Sequence, residues 1–97
     1  MPQTPYSFPA GGTLNSLVIS TNTVLKAYPG QVCTFSVITS GSTSGSINDC
    51  TTSGAATSGN VGQVIPNSVG NTYAPFRYQN GITVIPGTGQ VVSVAFE

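Results

Sequence analysis

Residues 80–97 read NGITVIPGTGQVVSVAFE, and the way this stretch folds decides the reading of the whole chain. Asn80-Gly81 stands between two apolar runs, which is a strong short-range hairpin signal. Residues 82–85 follow as a strand. Pro86 has no N–H to give a ladder, so pairing stops there, and Gly87, Thr88 and Gly89 supply the turn. Residues 90–96 then alternate apolar and small side chains, the period of a strand with one buried face. The expectation is a C-terminal meander with Phe76, Val84 (or Ile82), Val92, Val94 and Phe96 facing a core. Val-Ile-Pro occurs once more, at residues 64–66 within QVIPNSVG, so the chain builds this kind of corner twice.

Upstream the same period continues, with turn signals roughly every eight to twelve residues, the spacing of an all-β sandwich or barrel. Strands are expected at residues 16–20, 23–27, 31–39, 47–51, 61–65 and 73–78, with Pro29-Gly30 turning the chain into the third. In that third strand Cys33, Phe35 and Val37 share one face, while Thr34 and Ser36 share the other. Residues 40–46 (SGSTSGS) read as a flexible loop. Residues 52–60 (TSGAATSGN) read as a second one with no side chain large enough to pack. No amphipathic helix is legible.

Four charges serve the 97 residues: Lys26, Asp49, Arg77 and Glu97, with a net charge of zero. An ordinary globular chain has about one charged residue in four. Disorder goes with low hydrophobicity and high net charge; here the apolar residues cluster in short runs, so an ordered fold is expected. A near-neutral surface promotes association, which points to self-assembly or a place in a larger particle. Two cations are too few to track phosphates, so nucleic acid is not an expected partner. No apolar run approaches the roughly eighteen residues of a membrane span. The opening MPQTPYSFPAGG lacks the basic and apolar regions of a secretory signal, so synthesis in the cytoplasm is expected.

That opening carries Pro2, Pro5 and Pro9 around Tyr6 and Phe8. Proline at this spacing excludes both helix and ladder and leaves an extended segment. It reads either as a tail or as an arm that docks Tyr6 and Phe8 on a neighbouring subunit. The arm is favoured, because aromatic side chains are low-entropy anchors that disordered tails usually lack.

Chemistry is thinly provided for. With no His, two carboxylates on different elements and no base beside any Ser or Thr, no catalytic residue is expected, and neither is a metal or cofactor site. Cys33 and Cys50 lack metal-site spacing. Were residues 31–39 to pair with 47–51, the two would share a face and could bridge; synthesis inside the cell favours two buried thiols instead. Tyr28, Tyr73 and Tyr78 could stack a sugar, but such residues more often cap a sandwich or fill an interface. Lys26 and Arg77 read as solvated or interface charges, pairing with Asp49 and Glu97 of the same or a neighbouring subunit.

The segments TVLKAYPGQVCTFSVITSGSTSGSINDC, VGQVIPNSVGNTYAPF and NGITVIPGTGQVVSVAFE resemble small structural proteins of tailed bacteriophages. These run from a strand into a Pro-Gly turn, through a Gly/Ser/Thr/Ala-rich middle and a VIPN-type corner, to a closing GI-V-PGTGQ-VSV hairpin. The likeness covers about residues 23–97, and the Pro-rich arm extends beyond the shortest such proteins. It implies a capsid decoration or cement protein, a β-sandwich module that sits on the outer shell and braces neighbouring major capsid proteins. The combined expectation is an all-β fold, a β-sandwich of jelly-roll type over residues 15–97 with an extended arm over residues 1–14. Such a protein is no enzyme. It is expected at the capsid surface of the virion, bound to the major capsid protein and forming a homo-oligomer, a trimer ahead of a dimer. Tyr6, Phe8, Lys26 and Arg77 are the expected interface residues. The alternatives are a tail or head-fibre module that binds host-surface glycan, and a secreted bacterial surface module.

Overall fold

The structure is a computed structural model that describes residues 14–97, apart from the side chains of Leu14 and Ala74. Tyr6 and Phe8, and with them nearly all of the expected arm, lie outside the described residues. Eight strands follow: β1 (Leu14–Ile19), β2 (Thr23–Lys26), β3 (Gly30–Thr39), β4 (Gly45–Asn48), β5 (Val61–Ile65), β6 (Gly70–Tyr78), β7 (Ile82–Ile85) and β8 (Val91–Phe96). Each expected run is a strand, displaced by at most three residues at an end.

The strands form two antiparallel sheets of four, ordered β1-β8-β3-β6 and β2-β7-β4-β5, which pack together through their inner faces. β1 pairs with β8, β2 with β7, β3 with β6 and β4 with β5. The contacts β3·β8 and β4·β7 join these pairs into sheets. The chain therefore behaves like one long antiparallel hairpin closed by the β4-β5 pair and folded over, so that apart from β4 and β5 successive strands fall in opposite sheets.

This corrects the expected meander. β6 and β8 lie in one sheet and β7 in the other, so Asn80-Gly81 and the Pro86 to Gly89 turn are corners between sheets. The physical reason at the first corner is Asp49. Its carboxylate accepts the backbone N–H groups of Asn80 at 2.7 Å, Gln79 at 3.2 Å and Gly81 at 3.3 Å. Neither Asn80 nor Gly81 takes the positive φ that a type I′ hairpin needs. Gly81 is there for close approach instead: a Cβ would lie 2.5 Å from the Cys50 carbonyl oxygen and 2.7 Å from that of Lys26.

The two Val-Ile-Pro corners meet at one end of the molecule. The buried Gln90 side chain donates to the Pro66 carbonyl (3.0 Å) and accepts from the Gly87 N–H (3.0 Å). Residues 40–46, expected to be a flexible loop, are fastened to both corners. Gly41 exchanges hydrogen bonds with the Asn67 amide at 2.8 and 2.9 Å, the Ser42 N–H donates to the Thr88 carbonyl, and the Thr88 N–H donates to the Thr43 hydroxyl.

Phe35, Val37, Val92, Val94 and Phe96 are buried in a core shared by both sheets, with Ile82 and Val84 both inside it. Phe76 is not: it is 40% exposed, its ring tilted against that of Tyr78 at 4.9 Å. The buried aromatic of β6 is Tyr78, whose hydroxyl donates to the Gln63 side-chain oxygen at 2.8 Å. In β3 a register shift between Val32 and Thr34 interrupts the alternation, so Val32 is buried as well as Cys33, Phe35 and Val37. β3 and β4 do not pair, and Cys33 and Cys50 are free, buried thiols. Burial, and next the charge of Glu97, raises the Cys33 thiol pKa above its ordinary value.

Candidate functional site

Two features of the surface stand out, a face and a cavity. Each sheet has an outer face, and the molecule treats the two differently. On the β2-β7-β4-β5 sheet, Asn48 and Thr83 are register partners, Asn48 next to the core residue Ile47 and Thr83 between the core residues Ile82 and Val84, so they point outward, yet both are buried. Residues 52–60 cover them, while Val24 and Val64 on the edge strands of this sheet stay exposed. The chain here winds through two short 3-10 helices, Ser53–Ala55 and Ser58–Asn60. The Asn48 amide donates to the Thr57 carbonyl (3.0 Å) and the Asn60 side-chain oxygen (2.7 Å), and Thr83 Oγ1 donates to the Cys50 carbonyl (2.9 Å). This segment needs no large side chain to pack, because asparagines and backbone groups hold it.

Among the described residues, none covers the outer face of the β1-β8-β3-β6 sheet in this way. Leu17 (70%), Val18 (71%), Tyr73 (56%) and Ile38 (54%) are exposed around a small polar centre in which Ser36 pairs with Ser93 and Asn71. β1 is an edge strand, and it slips against β8 between Ser16 and Ile19. Val18 in this bulge has φ 56°, a conformation that costs a β-branched residue on the order of 1–3 kcal/mol. The bulge blunts the edge as a pairing template and leaves both Leu17 and Val18 exposed to solvent.

At one end of this open face lies a cavity of about 410 Å³ whose lining includes Lys26, Gln31, Arg77, Gln79 and Glu97. Phe96, Val32 and Tyr78 are buried in the core, so their neighbours Glu97, Gln31 and Arg77 face outward. Gln31 and Glu97 exchange backbone hydrogen bonds of 3.0 and 2.9 Å, and Gln31 pairs with Arg77. The three side chains thus form a row across neighbouring strands, its ends about 10 Å apart at two strand spacings. Lys26 enters from the other sheet. A Cβ on Gly30 would lie 2.7 Å from Lys26 Cδ and 2.6 Å from the Glu97 carbonyl oxygen, so only glycine lets the lysine lie over the start of β3. Its Nζ is 5.0 Å from the centre of the Tyr28 ring, a distance at which the ring face attracts the cation.

The structure therefore brings together Lys26 and Arg77 of the expected interface set. Glu97 joins them, without an ion pair among the described residues. Asp49, the remaining charge, is engaged by the backbone of the Gln79 to Gly81 corner that walls the cavity. The three tyrosines are separated: Tyr28 and Tyr73 are exposed, whereas Tyr78 is buried. Burial, and secondarily the charge of Asp49, raises the Tyr78 phenol pKa well above its ordinary value. Among the described residues no three of His, Cys, Asp and Glu come together as a metal site would require, and no helix is long and apolar enough to cross a membrane. The one signal in the sequence for this cavity was the scarcity of charge itself.

No family model matches the chain, and no curated protein or solved structure matches it either.

Proposed function

We propose that the protein is a non-enzymatic virion component, a capsid decoration protein that binds the outer surface of a phage head and braces contacts between major capsid proteins. In this reading the fold is a jelly roll. Its support is the pairing of β1 with β8, β2 with β7, β3 with β6 and β4 with β5, the pattern of an eight-stranded double-sheet roll. The protein works as a homo-oligomer, a trimer ahead of a dimer, with the Tyr6 and Phe8 arm reaching onto a neighbour.

The observation that carries the reading is the contrast between the two outer faces. The middle of one is covered by the chain's own residues 52–60, with Val24 and Val64 exposed on its edge strands, while the other exposes Leu17, Val18, Ile38 and Tyr73 on a surface whose charges sit only at its end. An exposed apolar patch rimmed by polar residues marks an interaction surface. Lattice contacts of this kind need apolar and main-chain groups rather than ion pairs, and binding to the lattice stabilises the bound module by mass action. The test is Ile38→Glu. Ile38 is exposed, so the variant should melt like the parent while losing its place on shells of the major capsid protein. Unchanged occupancy would show that the open face is not the one that binds.

A further inference from the structure

In a chain with only four charges, three line one cavity, and these include both cations. Surface charge placed for solubility would be spread over the molecule. Here Arg77 stands at one end of the Glu97–Gln31–Arg77 row. Glu97 is at the other end, and Lys26 lies close to the Glu97 backbone over Gly30. Between the poles lies the outward-facing side chain of Gln31, and Gln79 lines the wall. Pro29 adds an apolar surface.

Each part has a defined chemical preference. A guanidinium with no ion-pair partner among the described residues suits a carboxylate, which it can grip through two parallel hydrogen bonds. A carboxylate beside an ammonium, together with two amides, offers acceptors and donors side by side, which is what a row of hydroxyls requires. The volume, about 410 Å³, falls within the range of small-ligand sites, about 300–1,000 Å³. A ligand that matches both ends carries one carboxylate at one edge of a ring and hydroxyls at the other.

We propose that this cavity binds a carboxylated sugar unit of the uronic acid class, with Arg77 taking the carboxylate and Gln31, Gln79, Lys26 and Glu97 taking the hydroxyls. The site is built from one chain and lies at the end of the open face, so it goes beyond the decoration role and does not depend on assembly. It places sugar recognition away from the tyrosine trio, of which only the buried Tyr78 lines the cavity.

The test is an NMR titration of the full chain with glucuronic acid, glucose and acetate as separate probes, following the side-chain amides of Gln31 and Gln79 and the Arg77 Nε–H. Glucuronic acid should shift these signals in a saturable way. Glucose and acetate, each matching only one end, should bind at least about tenfold more weakly. Arg77→Gln should weaken glucuronic acid by about tenfold or more, and Lys26→Gln should weaken it as well, with both variants keeping the parent's melting temperature. Acetate binding as tightly as glucuronic acid would reduce the cavity to a charged spot and overturn the sugar assignment. So would glucose binding as tightly, or undiminished affinity in Arg77→Gln.

Discussion

Asp49→Ala removes the acceptor on which the corner between β6 and β7 depends. In the structure one carboxylate receives three backbone N–H groups, at 2.7, 3.2 and 3.3 Å. A hydrogen bond to a charged group contributes about 1.5–3 kcal/mol. The short bond to Asn80 belongs in that range and the two longer ones fall below it. Asp49 is half-buried, so water can replace part of what is lost, and the expected cost is about 2–4 kcal/mol. Against a total stability of about 5–15 kcal/mol that is a large share. For a domain of this size it lowers the melting temperature by about 8–32 °C, at roughly 4–8 °C per kcal/mol. Asp49→Asn keeps one acceptor oxygen in place for Asn80 and should fall between the alanine variant and the parent. The assay is thermal unfolding followed by circular dichroism on all three proteins. Asp49→Ala melting within about 3 °C of the parent, a shift worth less than 1 kcal/mol, would refute the idea that this carboxylate holds the corner.

Three further outcomes follow from the core. Phe35 is 3% exposed, and Phe35→Ala should cost about 3–5 kcal/mol, leaving the isolated domain poorly folded; a melt like the parent's would place that ring elsewhere. The raised Tyr78 pKa makes the folded state hold its proton after the unfolded chain releases it. Its contribution is therefore complete below the ordinary phenol value of 10.0 and is lost as pH rises above it. Denaturant melts between pH 8 and pH 11 should show a steeper alkaline decline in the parent than in Tyr78→Phe, and equal slopes would contradict the burial of that phenol. Cys33 and Cys50, as free buried thiols, should resist a thiol reagent in the native protein and both react in denaturant without any reductant. A protein that reacts in denaturant only after reduction would contain a bridge.

The strands were legible because their determinants are local. Alternation marks the buried faces of β3 and β8, and Pro66 and Pro86 end β5 and β7 in the sequence as in the structure. The order of strands in the sheets was not legible, since it depends on partners far away in the chain. Asn80-Gly81 has the composition of a hairpin, but a carboxylate about thirty residues upstream turns it into a crossing between sheets. The segments 40–46 and 52–60 have the composition of flexible loops. Their order comes from Asn67, Asn48 and Asn60, whose amides reach backbone groups that no local pattern identifies. The slip at Cys33, which buries Val32 together with Cys33, is likewise invisible to a count of period two. Lys26 and Arg77 could be singled out by their rarity, but the cavity they share exists only because β6 and β8 flank β3, and because Gly30 leaves room for the lysine.

The decoration role is tested most directly by washing decorated particles in NaCl up to about 1 M, where screening acts within roughly 3 Å, and then measuring the protein retained and the temperature at which the shells rupture. An interface made by the open face, apolar and nearly free of charge, should keep the protein on the shell through the wash. Washed decorated shells should also rupture at a higher temperature than bare ones. Release at moderate salt would contradict an apolar interface, and full retention with no gain in rupture temperature would contradict a bracing role.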